Sequence, residues 1–146
     1  MKSSIREELI EHNAEELFEI VLDIENYPNF IPWCKEMNVH SKTEKEIFAD
    51  MIVWYKLFLP QTFGSHVVYD RKKLNINTTY IKGPLKDLKT EWLFNPLKKK
   101  QTLINFKVDF EFTGFLHQKI AETFYPLIEN KMIDSFKKRA DYIKSN

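Results

Sequence analysis

Beyond residue 35 the period of the hydrophobic pattern changes once, and that change limits the folds open to this chain. From residue 35 to residue 113 apolar side chains recur at every second position, and from 115 to 144 they recur at every third and fourth. Period two means strands with one oily face, and period 3.6 means a helix with one oily stripe. The clearest strand carries Ile104, Phe106, Val108, Phe110 and Phe112 on one face and Asn105, Lys107, Asp109 and Glu111 on the other. That is a sheet with one buried and one wet side. Ile47, Ala49, Met51, Val53, Tyr55 and Leu57 alternate in the same way, as do Phe63, Ser65, Val67 and Tyr69, then Leu74, Ile76, Thr78 and Tyr80, then Leu88, Thr90, Trp92 and Phe94. Leu59–Thr62, Asp70–Lys73, Lys82–Pro84 and Asn95–Lys100 separate these runs and read as turns. Met37–Lys42 and Ile5–Ile10 supply two further strands.

The helical stripe comprises Leu116, Ile120, Phe124, Leu127, Ile128, Met132, Phe136, Ala140 and Ile143. A helix of this span is roughly 40 Å long at about 1.5 Å per residue. Pro126 is expected to kink it, because proline removes one N–H bond and crowds the preceding turn. A shorter helix begins at Asn13-Ala14-Glu15-Glu16, a capping-box-like start followed by Leu17, Phe18, Val21 and Leu22 on one face. The predicted architecture is α+β: a curved antiparallel sheet of about six or seven strands wrapped around one long C-terminal helix, in a single domain spanning 1–146.

Residues 27–34, Tyr-Pro-Asn-Phe-Ile-Pro-Trp-Cys, follow the first helix. Two prolines bar a regular helix or central strand from running through them, yet most of the segment is apolar. A short helical turn over Tyr27–Ile31, stopped by Pro32, fits this composition. So stiff and oily a bend suits a plug, either for the core edge or for the mouth of an apolar hollow.

Composition narrows the function. Lys and Arg number 22 against 21 Asp and Glu, a net charge of +1, without the basic excess expected of a generic DNA or RNA binder. The single cysteine, Cys34, forms no internal disulfide. The N-terminal residues do not form a signal-like apolar run, and no stretch approaches about 18 uninterrupted apolar residues. The expected location is the cytoplasm, with peripheral contact at an inner membrane. His12, His40, His66 and His117 lack metal-ligand spacing, so no metal site is expected. Ser65 and His66 fall on opposite faces of one strand and cannot form a triad with Asp70.

Four stretches resemble a known family: Tyr27–Cys34; Phe63-Gly64-Ser65-His66-Val67; Gly83–Phe94; and the helix from Ala121 to Ala140. The chain resembles START-like, helix-grip domains, and within them the coenzyme-Q-binding and ribosome-association toxin A subfamily. His66 stands where that subfamily more often has Arg. The resemblance implies non-enzymatic binding of a hydrophobic ligand, ubiquinone or a related polyprenyl lipid, between sheet and helix, in support of respiration and quinone handling. It implies no required cofactor. Toxin-labelled members imply an alternative, binding of the large ribosomal subunit that blocks subunit association. A third reading, a polyketide aromatase/cyclase, needs an acid–base pair inside the cavity, where the inward faces offer little beyond Tyr55 and Tyr80.

The candidate ligand-binding residues come from each inward face. The bend gives Phe30, Ile31, Pro32 and Trp33. The strands give Val53, Tyr55, Phe63, Val67 and Tyr80, then Leu88, Trp92, Phe94, Phe106 and Phe110. The helix gives Phe124, Ile128 and Met132. Each of these also suits an ordinary core. Thr78, Tyr80 and Thr90 are candidate polar anchors among them. Lys98, Lys99 and Lys100 in a turn, and Lys137, Lys138 and Arg139 near the helix end, are candidate contacts for RNA phosphate or an anionic membrane surface. Solvation, and for the last cluster favourable charge at a helix C-terminus, is the preferred account of these clusters. No catalytic residue is assigned.

Overall fold

The computed structural model describes residues 2–54 and 59–145; Tyr55 and Leu57, singled out above, lie outside the described residues. The elements run β1 (Lys2–Ile10), α1 (Ala14–Leu22), a 3-10 turn (Ile24–Asn29), β2 (Cys34–Lys42), β3 (Glu46–Val53), β4 (Gln61–Asp70), β5 (Asn75–Lys82), β6 (Asp87–Lys98), β7 (Gln101–Glu111) and α2 (Gly114–Ser145). The strands form one seven-stranded sheet in the order β1-β7-β6-β5-β4-β3-β2, every pairing antiparallel. β2 to β7 follow one another as a meander, and β1 closes onto β7. This is the helix-grip arrangement expected from the change of period.

Alternation decides what is inside. Phe106, Val108 and Phe110 of β7 are each at most 3% exposed, while their neighbours Lys107 and Asp109 reach solvent and pair with each other at 3.7 Å. α1 starts as its sequence predicts, with the Asn13 side chain accepting from the Glu16 N–H at 3.1 Å. It buries Ala14, Leu17, Phe18, Val21 and Leu22. Asn13 also donates to the Lys99 carbonyl at 3.1 Å, and the Thr102 hydroxyl donates to the His12 carbonyl at 2.7 Å. α1 is thereby tied to the β6–β7 hairpin and caps that end of the sheet.

Three features differ from the sequence expectation. The helical turn in the bend begins earlier, at Ile24, and carries Pro28 within it. Pro28 is tolerated because a turn this short makes few internal bonds for proline to break. Asn95–Lys98 is not turn but strand: β6 pairs through Pro96↔Thr102 to Lys98↔Gln101, with a register shift between them. Pairing with β5 ends at Leu93↔Asn75, so one side of β6 is already open where Pro96 falls, and a bulge absorbs the rest. Finally, Leu116 and Ile143 are exposed by 67% and 45%. The 32 residues of α2 span about 48 Å, whereas the 11 of β7 span about 37 Å, so the helix overhangs the sheet and its terminal apolar residues meet water. Its buried stripe instead includes Ala121 and Ile133.

Candidate functional site

The register divides the sheet into two ends. Cys34↔Val53, Gly64↔Lys82 and Asp87↔Glu111 mark one end, where the bend, the β3–β4 and β5–β6 loops and the start of α2 meet. At the other end α1 fills the concave face. Between them, under α2, lies a cavity of about 120 Å³. A second space of about 70 Å³ adjoins it through Tyr27, Met51, Ser65, Thr78 and Trp92, which line both. A third, of about 30 Å³, shares Phe63, Leu88, Phe124 and Ile128 with the first. The hollow is elongated, running across the sheet beneath the helix.

The central cavity is apolar by construction. From the sheet it takes Met51, Val53, Phe63, Leu88, Trp92 and Phe106, from the bend Tyr27 and Trp33, and from α2 Phe124, Ile128, Met132 and Phe136. Aromatic contacts fix this wall: Trp92 stacks on Phe106 at 4.1 Å and meets Phe136 edge-on at 5.3 Å, and Phe63 meets Phe124 at 6.5 Å. Trp33 is 4% exposed, and its carbonyl accepts from the Trp54 N–H at 3.0 Å, which pins the bend to the end of β3.

Among the described residues no carboxylate, amine or imidazole lines this cavity. The titratable group among its described lining residues is Tyr27, whose hydroxyl donates to the Val21 carbonyl and whose pKa burial drives far above the usual phenol range, with Cys34 and Asp23 adding to the effect. Cys34, beside the wall, has its thiol pushed up to about 11 by burial and is not a thiolate nucleophile at neutral pH. Among the described residues no cluster of His, Cys, Asp or Glu is arranged to hold a metal ion, and no helix is long and apolar enough to cross a membrane.

The candidates named from sequence separate into groups. Trp33, Val53, Phe63, Leu88, Trp92, Phe106, Phe124, Ile128 and Met132 converge on the central cavity. Val67 faces the 70 Å³ space and Phe110 the 30 Å³ space. Phe94 and Ile31, 1% and 2% exposed, line none of these voids; Phe94 packs against Phe18 at 5.8 Å. Phe30 packs on Tyr27 and Phe136, and Pro32 is exposed. Tyr80 is not a free anchor, because its hydroxyl accepts from the Leu85 N–H at 2.9 Å and donates to the Leu85 carbonyl at 3.0 Å.

That bracket holds the β5–β6 loop. Gly83 there has φ +147°, and a Cβ on it would meet the Tyr80 hydroxyl at 2.7 Å, so only glycine fits. Tyr27, Met51, Ser65 and Phe136 also line the cavity and were absent from the candidate list, although alternation and helical spacing place the last three inward.

The basic clusters do not merge. Lys98–Lys100 caps the β6–β7 hairpin at the α1 end, as do Lys72 and Lys73 on the β4–β5 turn, while Arg71 of that turn pairs with Glu19 at 2.9 Å. On α2, Lys138 pairs with Asp134 at 3.1 Å, and Arg139 lies over the rings of Phe30 and Tyr142 at 5.3 and 5.4 Å; Lys137 is exposed.

A curved sheet gripping a long helix over an apolar hollow defines a START-like domain. The chain belongs to the polyketide cyclase/dehydrase and lipid transport family, whose model matches residues 10–137. Among its relatives, a ribosome association toxin of Rickettsia prowazekii is 30% identical over 90% of this chain and 91% of its own. A mitochondrial coenzyme Q-binding protein of Drosophila melanogaster is also 30% identical over 90% of this chain, which spans 55% of that longer protein. Among solved structures, an aromatase/cyclase from Streptomyces shares the fold with TM-score 0.83 at 13% identity, covering 96% of this chain and 93% of its own. An 18 kDa protein of Caulobacter crescentus matches at TM-score 0.77 and 25% identity over the full length of both.

Proposed function

We propose that this protein binds a neutral hydrophobic small molecule, a polyprenyl quinone such as ubiquinone, beneath α2, and that it acts as a carrier rather than a catalyst. The observation that carries the reading is the void itself, about 120 Å³ of space walled mainly by aromatic and aliphatic side chains and adjoined by two smaller spaces. Dry apolar cavities of about 150 Å³ accept a benzene-sized ring. The central void is smaller than that, so a substituted quinone ring and its tail require the wall to open further into the adjoining spaces. Burial at about 25 cal/mol per Å² of apolar surface supplies the affinity. The resemblance to a coenzyme Q-binding protein supports the ligand class. The carrier reading rests on the lack of any acid–base pair among the described lining residues.

Ligand exchange is assigned to the end opposite α1. There Trp54, Leu59, Phe115 and Leu116 are exposed by 48%, 78%, 75% and 67%, with Lys35 lying 4.0 Å from the Trp54 ring centroid. Oily tips beside lysines suit transient contact with an anionic membrane surface.

Solvent extraction of the purified protein, followed by mass spectrometry, is expected to recover a quinone. Trp33→Ala is expected to weaken added ubiquinone about tenfold by removing a ring contact and its buried area. Folded Trp33→Ala protein that binds like wild type, together with an extract free of quinone, refutes the reading.

A second reading has its own support: Lys72, Lys73, Lys98, Lys99 and Lys100 are exposed on two hairpin tips at one end of the sheet, and several relatives are ribosome association toxins. This surface would contact the large ribosomal subunit. Excess protein added to lysate should then enrich free subunits in sedimentation profiles, and charge reversal of Lys98, Lys99 and Lys100 should abolish the effect; an unchanged profile removes the idea.

A further inference from the structure

We propose that the hydroxyls of Ser65, Thr78 and Thr90 form one anchoring site for a neutral, oxygen-bearing ligand head, so that the hollow selects carbonyl-bearing lipids over both hydrocarbons and fatty acids. This rests on the carrier reading above and specifies what it carries.

The argument begins in the sequence. Each hydroxyl interrupts an inward face that is otherwise largely apolar: Ser65 between Phe63 and Val67, Thr78 after Ile76, Thr90 between Leu88 and Trp92. The register brings them together. Val67, Thr78, Thr90 and Val108 form one row across β4, β5, β6 and β7, so two threonines sit side by side at the centre of the sheet floor. Directly opposed side chains in such a row are about 5 Å apart at Cβ. Ser65 is the diagonal neighbour of Thr78 on β4. All three line the central cavity, and Ser65 and Thr78 also line the adjoining 70 Å³ space.

The rest of the interior pairs its polar groups. Thr102 donates to the His12 carbonyl at 2.7 Å, Tyr69 to the Thr43 carbonyl at 2.5 Å, Tyr27 to the Val21 carbonyl, and Tyr80 is held twice by Leu85. Among the described residues Ser65, Thr78 and Thr90 have no side-chain hydrogen-bond partner; all three are half-buried and no buried polar atom goes unpaired, so their oxygens are open to the cavity they line. A chain that satisfies its buried hydroxyls and leaves three adjacent half-buried ones open to a cavity has donors free for something that enters it.

The chemistry of that occupant follows. A hydroxyl both donates and accepts, so carbonyl and ether oxygens on a ring are matched. Among the described residues no cation lines the cavity to receive a carboxylate or phosphate, and no carboxylate lines it to receive an amine. A charged head would be buried without a partner and is rejected. The central cavity, about 120 Å³, seats one ring over the hydroxyl row as its wall opens.

The test compares decylubiquinone, decylbenzene and undecanoate, which share a ten-carbon tail and differ in the head, by competition against Nile red. Wild type is expected to bind decylubiquinone most tightly and undecanoate least. Thr78→Val with Thr90→Val keeps shape and removes two hydroxyls. It is expected to weaken decylubiquinone about tenfold or more and to leave decylbenzene unchanged or tighter.

The ligand-free double variant is expected to melt at or above the wild-type temperature, since it loses hydroxyls that bond nothing in the fold. A lowered melting temperature assigns the threonines a structural role and overturns the proposal. Equal losses for decylubiquinone and decylbenzene, or undiminished decylubiquinone binding, also overturn it while leaving the carrier reading standing. Wild type that takes up none of the three defeats both.

Discussion

The two halves of the interior are built from the same alternating strands, yet one is solid and the other hollow. At the α1 end Phe18, Leu17, Ile10, Ile47, Phe94 and Ile104 are each at most 1% exposed, and Phe18 meets Phe94 and Tyr69 ring to ring. At the other end Met51, Leu88, Ile128 and Met132 are half-buried around open space. The difference is one element: α1 presses a five-residue apolar stripe into the concave face on one side, and on the other the bend and the middle of α2, Phe124 to Phe136, cover it. A sheet curved enough to grip a helix leaves room for a second helix, and this chain supplies one for half the floor.

If that contrast is real, truncation should be unequal. Phe18→Ala is expected to cost about 3–5 kcal/mol, as for a large ring removed from a close-packed site. Ile128→Ala, which removes side chain from beside an existing void, should cost about 2 kcal/mol or less. Urea unfolding of both variants measures the gap. Equal costs would mean that the hollow half is as tightly packed as the solid one.

Enlargement should reverse the order. Ala14 is 1% exposed under α1, and Ala14→Leu is expected to cost about 1–3 kcal/mol by overpacking. Thr90→Leu extends into the cavity and exchanges an unbonded hydroxyl for apolar contact, so its melting temperature should hold or rise while quinone uptake falls. A Thr90→Leu variant destabilised as much as Ala14→Leu would show that the apparent space is not available to side chains.

The sequence made the solid half and the fold legible and left the hollow only partly so. Periodicity identified which residues of β3 to β7 point inward and located the α1 stripe, because alternation and 3.6-spacing are local properties of the chain. Whether an inward residue touches another side chain or empty space is not local. Phe94 and Trp92 occupy equivalent inward positions two residues apart, yet Phe94 meets Phe18 of α1 and Trp92 borders the void. Periodicity alone could not separate them, since the distinction depends on where α1 stops across the sheet. Ser65 could have been flagged as a polar residue on an apolar face. That Tyr80 is spent on Leu85 while Thr78 and Thr90 are unbonded could not be read before the β5–β6 loop was placed.

The smallest expected effect probes the border between the halves. Cys34 begins β2, follows Trp33 of the cavity wall and pairs in register with Val53. Burial raises its thiol pKa from the ordinary value near 9.0 to about 11. Alkylation proceeds through the thiolate, and two units on the pKa scale cut the thiolate fraction at pH 8 about a hundredfold. Iodoacetamide at pH 8 should therefore label the native protein at least about a hundredfold more slowly than the urea-unfolded chain, and the native rate should climb with pH toward 11. Any faster native labelling must pass through local opening of the bend, since labelling reports the population of the open form. Because Trp33 is shared between bend and cavity, saturation with decylubiquinone should slow that residual rate, while Phe18→Ala at the far end should alter it only by way of global stability. A residual rate indifferent to ligand would uncouple the bend from the hollow and move ligand entry to another part of the cavity wall, leaving the solid half unaffected.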